Sequence, residues 1–342
     1  MSILITGGTG IIGSCVAVEL AKEGHRPLLY DRRLDRTFLG DVQDQVEVIQ
    51  GDVLDLDQLV RIIRAQQVRT IIHLAAVIIP EAQADPYKGF QVNAGGTVTV
   101  LEAARIEGCR RVIYTSSRSV YGPVAGEHGH PTYRPLPEEH PKAPRSVYGV
   151  TKLAGELMAR EFSQRYGLQV ICLRFPALYG PGRLARHGEV ALHSRLIEGA
   201  MAGVEVVVPR GAEQRDDLLY VRDAARAVAL AAGAEGITSF DFNVGSETMV
   251  TLRELVAILE GLYPKARLRV GPGLDPVGLG YIQYCRYDCA RARKELGYRP
   301  QYSLDAGVRD YVETMARLGL QPLAELSAGG GAAGPALGAG GS

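Results

Sequence analysis

The chain has 342 residues, 46% of them hydrophobic, enough to fill one large domain or two smaller ones. Lys plus Arg and Asp plus Glu each number 38, so the formal net charge is zero, which excludes an overall electrostatic footprint for nucleic acid or an anionic membrane. No charged-then-apolar leader precedes Ile3 and no apolar run reaches the ~18 residues of a membrane span, so a cytoplasmic protein is expected.

The apolar strand Ile3-Leu4-Ile5 runs straight into a glycine-rich turn that ends at Gly13. Gly8, Gly10 and Gly13 match G-x-G-x-x-G, while Gly7, Gly10 and Gly13 match the wider G-x-x-G-x-x-G. Either pattern lets the backbone turn sharply, approach a pyrophosphate and enter a helix whose N-terminal amides face the anion. A helical pattern from Ser14 to Glu23 follows, Gly24 ends it, and the strand Pro27 to Tyr30 delivers Asp31 at its C-terminal end. Asp31 lies 18 residues beyond Gly13, close to the roughly 20 expected of a carboxylate that accepts hydrogen bonds from an adenosine ribose. Strand, turn, helix, strand and acid together predict a dinucleotide site.

Strand and helix then alternate. Val46 to Gln50 ends in Gly51-Asp52, the helical Leu56 to Gln66 follows, and Thr70 to His73 leads into Leu74-Ala75-Ala76. Tyr87 to Arg105 reads as one long helix, Arg111 to Thr115 as a strand, Lys152 to Tyr166 as part of another helix, and Gln169 to Phe175 as a strand. This alternation predicts an α/β fold, a doubly wound parallel sheet with ligands at the C-terminal ends of its strands. Asp52, Ala75 and Ser117 fall at such ends; Asp52 reads equally as a turn acid, and Ala75-Ala76 as close packing.

After Phe175 the alternation breaks. Pro176 to Glu189 is rich in Gly, Pro and Arg; Val204 to Val208 and Phe240 to Val244 read as strands. Asp223 to Ala232, Leu252 to Leu262, Asp288 to Leu296 and Ser303 to Leu318 read as helices. We therefore divide the chain into a dinucleotide-binding domain over 1–175 whose core also receives later segments, a mixed α+β substrate-binding region over 176–322, and a flexible Gly/Ala-rich tail over 323–342. The five cysteines, Cys15, Cys109, Cys172, Cys285 and Cys289, suit reduced thiols; Cys285 and Cys289 have no second Cys or His pair at ligand spacing, so no metal is expected.

Tyr148-Gly149-Val150-Thr151-Lys152 carries the chemistry. Four-residue spacing on a helix puts the Tyr phenol and the Lys ammonium on one face. A free Tyr titrates near ~10, too high for a base at neutral pH, and an adjacent cation favours the phenolate. Tyr148 can then take the proton of a substrate hydroxyl as hydride leaves its carbon, or return it to a carbonyl. Ser117 can hydrogen-bond the same oxygen.

In this order the signals resemble the extended short-chain dehydrogenase/reductase family, in particular its NAD-dependent epimerase/dehydratase branch, over nearly everything from Met1 to about Leu320. The stretches that carry the resemblance are Gly7 to Gly13, Gly51-Asp52, His73 to Ala76, Val92-Asn93 with Gly96-Thr97, Ser116 to Gly122, Tyr148 to Lys152, Arg174 to Gly182 and Arg215 to Asp223. The resemblance implies NAD as cofactor and a Rossmann-type fold. It implies a catalytic triad of Ser117, Tyr148 and Lys152, with Ser117 preferred over Ser116 because it stands four residues before Tyr121. Gly7, Gly10, Ile11, Ile12 and Gly13 then cradle the cofactor, Asp31 holds its adenosine ribose, and Asp52 and Val53 its adenine. Leu74, Ala75 and Ala76 line it, Lys152 holds the nicotinamide ribose, and Phe175 and Pro176 the carboxamide end. Arg215 matches the family's phosphate-binding Arg, and Arg118, Arg183 and Arg186 add charge, so the implied substrate is an anionic, carbohydrate-like small molecule. The resemblance also implies a homodimer formed through Tyr87 to Arg105 and Lys152 to Tyr166.

Three departures narrow the chemistry. Family dehydratases carry Asp-Glu just after the catalytic Thr, where this chain has Arg118 and Ser119, which speaks against sugar dehydration. UDP-galactose-type epimerases usually have an Asn where this chain has Ala177, and an Arg where it reads Pro276-Val277-Gly278-Leu279, so two diphosphate contacts are missing. The expected reaction is hydride transfer to or from a carbinol carbon of a sugar, sugar acid or similar polyol. A sugar-nucleotide 4-epimerase that retains its NAD is the alternative. A non-catalytic NAD sensor is disfavoured by the intact triad.

Overall fold

The computed structural model describes residues 2–188 and 191–322; the tail expected over 323–342 lies outside the described residues. In chain order the first half runs β1 (Ile3–Thr6), α1 (Ile11–Lys22), β2 (Leu28–Asp31), β3 (Glu47–Gln50), α2 (Leu56–Ala65), β4 (Thr70–His73), α3 (Ile79–Ala84), α4 (Pro86–Phe90), α5 (Gly96–Ile106), β5 (Arg111–Ser117), α6 (Val147–Tyr166) and β6 (Gln169–Phe175). The second half runs β7 (Ala177–Tyr179), α7 (Arg183–His187), α8 (Leu192–Ala202), β8 (Glu205–Val208), β9 (Arg215–Asp216), β10 (Leu218–Tyr220), α9 (Val221–Gly233), β11 (Asp241–Asn243), β12 (Val250–Thr251), α10 (Leu252–Leu262), β13 (Arg267–Val270), α11 (Ala290–Leu296) and α12 (Leu304–Arg317).

Strands β1 and β4 are buried at every position, which is why they show no in-out alternation: helices cover both faces of their sheet. The sheet is parallel throughout, in the order β3-β2-β1-β4-β5-β6-β11. Strand order reverses between β1 and β4, and a crevice opens there at the C-terminal strand ends. On one face Val16, Ala17 and Leu20 of α1 pack with Ala224 and Val228 of α9; on the other lie Leu59 and Ile63 of α2, Val100 and Leu101 of α5, and Ala159 and Phe162 of α6. Strand β11 and helix α9 come from the second half of the chain yet complete the Rossmann-type core. A separate apolar cluster holds the rest of that half together, built on Leu196 and Ile197 of α8, Leu255 and Leu259 of α10, and Val308 and Tyr311 of α12.

The helix expected over Tyr87 to Arg105 is interrupted. Between α4 and α5, residues Gln91–Gly95 form a π turn. The Asn93 amide accepts from Val77 N at 2.8 Å and donates to Val77 O at 3.0 Å and Thr151 Oγ1 at 3.1 Å. The wider turn lets a residue inside a helix serve the segment after β4, a device common next to functional sites.

Two glycines bring α6 hard against β5. A Cβ at Gly155 would lie 2.3 Å from the Tyr114 hydroxyl, and one at Gly149 would lie 2.5 Å from Ser119 O. The Ser146 side chain caps the helix by accepting from Gly149 N, and Gly167, at φ +68°, ends it. Arg174 of β6, 1% exposed, then ties the layers together. Its guanidinium donates to both Glu156 carboxylate oxygens at 2.9 and 2.7 Å, to Asp241 at 2.5 Å, to the Tyr121 hydroxyl at 2.8 Å and to Glu138 O at 3.0 Å. Arg174→Met leaves Glu156 buried without its cation, so we expect a loss of ~3 to 5 kcal/mol in chemical denaturation. A loss below ~1 kcal/mol would show that the fold does not lean on this pair.

Candidate active site

A cavity of about 420 Å³ follows the C-terminal ends of β1, β2, β4, β5 and β6 and is walled on its far side by residues of the second half of the chain. Gly7, Gly10 and Gly13 line it, whereas Gly8 does not. A Cβ on Gly8 would sit 2.7 Å from Leu29 Cβ, so Gly8 serves the packing of the turn on β2. The wider glycine spacing is therefore the one that faces the cavity. Gly7, at φ +67°, has no room for a Cβ either, because Ala75 N lies 2.8 Å from where it would be; at Gly13 the Gly7 carbonyl oxygen lies at 2.3 Å. Backbone, with no side chain between, thus lines the entry to α1, as close approach of a pyrophosphate requires.

Around this turn stand Ile11, Ile12, Asp31, Val53, Leu74, Ala75 and Ala76, with Phe175 and Pro176 farther along. The Asp31 carboxylate accepts from Thr9 N and Arg33 N, each at 3.2 Å, and is thereby aimed from the end of β2. Asp52 is the exception. Its carboxylate turns back to accept from Leu54 N at 3.0 Å and its side chain is outside the cavity lining, so it acts as a turn acid. The cradle fits a dinucleotide by its bare backbone turn and by the Asp31 carboxylate beside it in the cavity lining.

Ser117, Tyr148 and Lys152 come together deeper in the cavity. Lys152 Nζ donates to Thr115 O at 2.9 Å and lies 5.8 Å from the Tyr148 ring centroid. Tyr148 makes a side-chain hydrogen bond with Ser117, whose Oγ also accepts from Ser119 N at 3.2 Å. Burial pushes the Tyr148 phenol up to about 12, opposed by the Ser117 hydrogen bond and by the charge of Arg183. Burial also pulls Lys152 down to about 8.

Of the arginines expected at the substrate, Arg118, Arg183 and Arg186 line the cavity and Arg215 does not. Arg118 is held by Asp216 of β9, with its guanidinium 5.1 Å from the Tyr284 ring centroid, so its charge is already neutralised. Arg183 lines the cavity, its Nε buried with no hydrogen-bond partner among the described residues, and burial lowers its pKa to about 10. Arg215 is exposed and outside the lining. Successive residues of a strand face opposite ways, and in β9 it is Asp216 that points inward. Nor does Arg215 take either neighbouring acid as an ion-pair partner: Asp217 accepts from Ser246 and from Tyr287 N. Sequence reasoning missed His187 and His193, which line the same wall. Burial, with nearby arginines, presses both imidazoles down to about 3, so they are neutral. The signal for His187 was its four-residue spacing from Arg183.

Among the described residues no group of three or more His, Cys, Asp or Glu is placed to hold a metal ion, and no helix is long and apolar enough to cross a membrane.

Comparison with known proteins gives the same reading. The family described as NAD dependent epimerase/dehydratase matches residues 3–245. The UDP-glucose 4-epimerase of Mycolicibacterium smegmatis is 32% identical over 92% of this chain and 98% of its own length. The structure of UDP-glucose 4-epimerase from Thermotoga maritima with UDP-glucose superposes with a TM-score of 0.81 at 27% identity, covering 93% of this chain and 99% of that one. MoeE5 in complex with UDP-glucose and NAD gives 0.77 at 28% identity, covering 93% and 99%. The chain belongs to the NAD-dependent epimerase/dehydratase family of extended short-chain dehydrogenases/reductases.

Proposed function

We propose that this NAD-dependent enzyme, which moves a hydride at a carbinol carbon of a carbohydrate, acts on a sugar whose negative group sits on Arg183. The observation that carries the reading is Arg183 itself: a cavity-lining guanidinium with no acidic partner among the described residues, close enough to Tyr148 to act on its proton affinity. We assign cofactor binding to residues 1–175 and substrate binding to 176–322. Five unpaired thiols suit a reducing compartment, the cytoplasm.

NAD, when bound, supplies the hydride acceptor or donor. Ser117 donates a hydrogen bond to the reacting oxygen and Tyr148 exchanges its proton. With the phenol at about 12, Tyr148 holds its proton at neutral pH, ready to give it to a carbonyl. Taking a proton from a hydroxyl needs the phenolate, so oxidation should speed up as pH rises through 7 to 10, below that pKa. Tyr148→Phe should lower turnover by ~10²-fold or more and flatten that rise, while NAD titration stays near wild type. Near-wild-type turnover would remove Tyr148 from the mechanism.

Net oxidation or reduction of a compact sugar or sugar acid is the first reading. Its support is an apolar wall: Ala177, Pro276 and Val277 line the cavity where diphosphate-gripping side chains are expected in sugar-nucleotide epimerases. A specific observation favours a second reading, NAD-retaining 4-epimerisation of a nucleotide sugar, namely similarity to UDP-glucose 4-epimerases over nine-tenths of the chain. A panel of sugars, uronates and UDP-sugars, assayed for net NADH and for product stereochemistry, separates them. Net NADH means dehydrogenation; a 4-epimer without net NADH means epimerisation. Arg183→Met should raise KM for the true substrate ~10- to 150-fold with little change in melting temperature, because no buried acid is left behind. Unchanged KM would end the case for an anionic group on the substrate.

We also infer a homodimer. Tyr87 and Phe90 of α4 and Val150, Leu157 and Met158 of α6 are exposed apolar residues on neighbouring helices, a face suited to a four-helix contact with a second copy. Sedimentation should give a dimer at micromolar concentration and a monomer for Leu157→Glu. A monomeric wild-type protein would refute it.

A further inference from the structure

Beyond the triad, one cluster is absorbed by neither catalysis nor core packing. The segment after Asp31 meets α7, which belongs to the second half of the chain. There the Arg186 guanidinium makes three contacts at once. It donates to Thr9 O at 3.0 Å, it donates to the Asp35 carboxylate, and it lies 5.1 Å from the Phe38 ring centroid. Thr9 is the middle of the glycine turn, and it is bound from two more directions, by its N–H to Asp31 and by its Oγ1 to Arg33 O at 2.8 Å. Phe38 in turn rests on Gly182, where a Cβ would lie 2.1 Å from Phe38 Cζ. Glycine turn, Asp31, the segment after it and α7 are thus joined in one contact set, and Arg186 also forms part of the cavity wall beside Gly10 and Asp31.

We propose that Arg186, with Asp35 and Phe38, is a clasp at the glycine-turn end of the cavity that sets how long NAD stays bound. The clasp joins residues 151 apart in sequence, so it closes the cavity by tertiary contact. Opening that end separates α7 from the glycine turn and breaks all three contacts of Arg186. The guanidinium suits the task because its planar fork reaches a carbonyl and a carboxylate together while its face stays on an aromatic ring, which an ammonium does not match. Residence time is what distinguishes an enzyme that exchanges its cofactor at every turnover from one that keeps it. The clasp rests on NAD dependence and not on an anion at Arg183, so the two proposals fail separately.

The test uses the full-length protein loaded with NADH, chased with excess NAD, with loss of bound NADH fluorescence as the readout. Arg186→Met should release NADH ~5- to 30-fold faster than wild type, with Asp35→Asn and Arg186→Lys in between, since each keeps part of the contact set. Salt should speed release from wild type more than from Arg186→Met, because the pair is partly exposed and is screened. Melting temperatures should change little. Release within twofold of wild type in both Arg186→Met and Asp35→Asn overturns the proposal. So does faster release that rises and falls with a lowered melting temperature across the variants, since that would mark general loosening of α7.

Discussion

The catalytic geometry depends on a buried ion pair that touches no reactant. Glu156 stands one helical turn beyond Lys152 and accepts from Ser116 Oγ at 2.6 Å, one residue before Ser117, while Arg174 grips the same carboxylate from β6. Helix α6, which carries Tyr148 and Lys152, is therefore fixed relative to the strand that carries Ser117. A buried pair of this kind gains little over packed apolar side chains, because both ions must be stripped of water. Its value is directional: two oxygens and a guanidinium fork allow one register of helix against sheet, where apolar side chains would allow several. The same Arg174 reaches Asp241 of β11, so the strand contributed by the second half of the chain is locked into the same arrangement.

Burial then decides what the reactive groups are. The phenol rises and the ammonium falls because each is held away from water, and the Lys152 ammonium spends its hydrogen bond on Thr115 O. Arg118, next to Ser117 in sequence, is cancelled by Asp216, and the histidines of the wall are neutral. Among the described lining residues Arg183, close to Tyr148, has no carboxylate partner, and Arg32 at the Asp31 end of the cavity has none either.

Much of this was legible in the sequence where a signal is local. Glycine spacing, a strand ending in Asp31, and Tyr148 and Lys152 four apart on a helix depend only on backbone periodicity, and these residues line one cavity. The direction of Asp52 and Arg215 was not legible. Asp52 sits in a turn whose own Leu54 N–H competes for the carboxylate, and β9 is two residues long, too short for alternation to show which residue faces in. The choice between Gly8 and Gly7 likewise needed the neighbours, Leu29 on one side and Ala75 on the other. The π turn at Asn93 was hidden because its cause is a bond to Val77, across a chain reversal.

Helix α7 is where the two halves of the chain exchange information. It is five residues long and carries Arg183 toward Tyr148 and Arg186 toward Thr9 and Asp35, three positions apart and so near one another on the helix surface. A helix this short has little stability of its own, so its position is set by tertiary contacts: the buried Leu184, Phe38 against Gly182, and the bonds of Arg186 to Thr9 and Asp35. Under the two proposed roles, an anion drawn to Arg183 and a closed contact at Arg186 favour the same placement of α7. Coupling of that form is reciprocal: whatever substrate binding adds to the grip on the cofactor, the bound cofactor adds to the grip on substrate. The structural relative MoeE5 is seen in complex with both UDP-glucose and NAD, and coupling of this form would hold two such components in place between the halves of a reaction that returns a hydride to the molecule it came from.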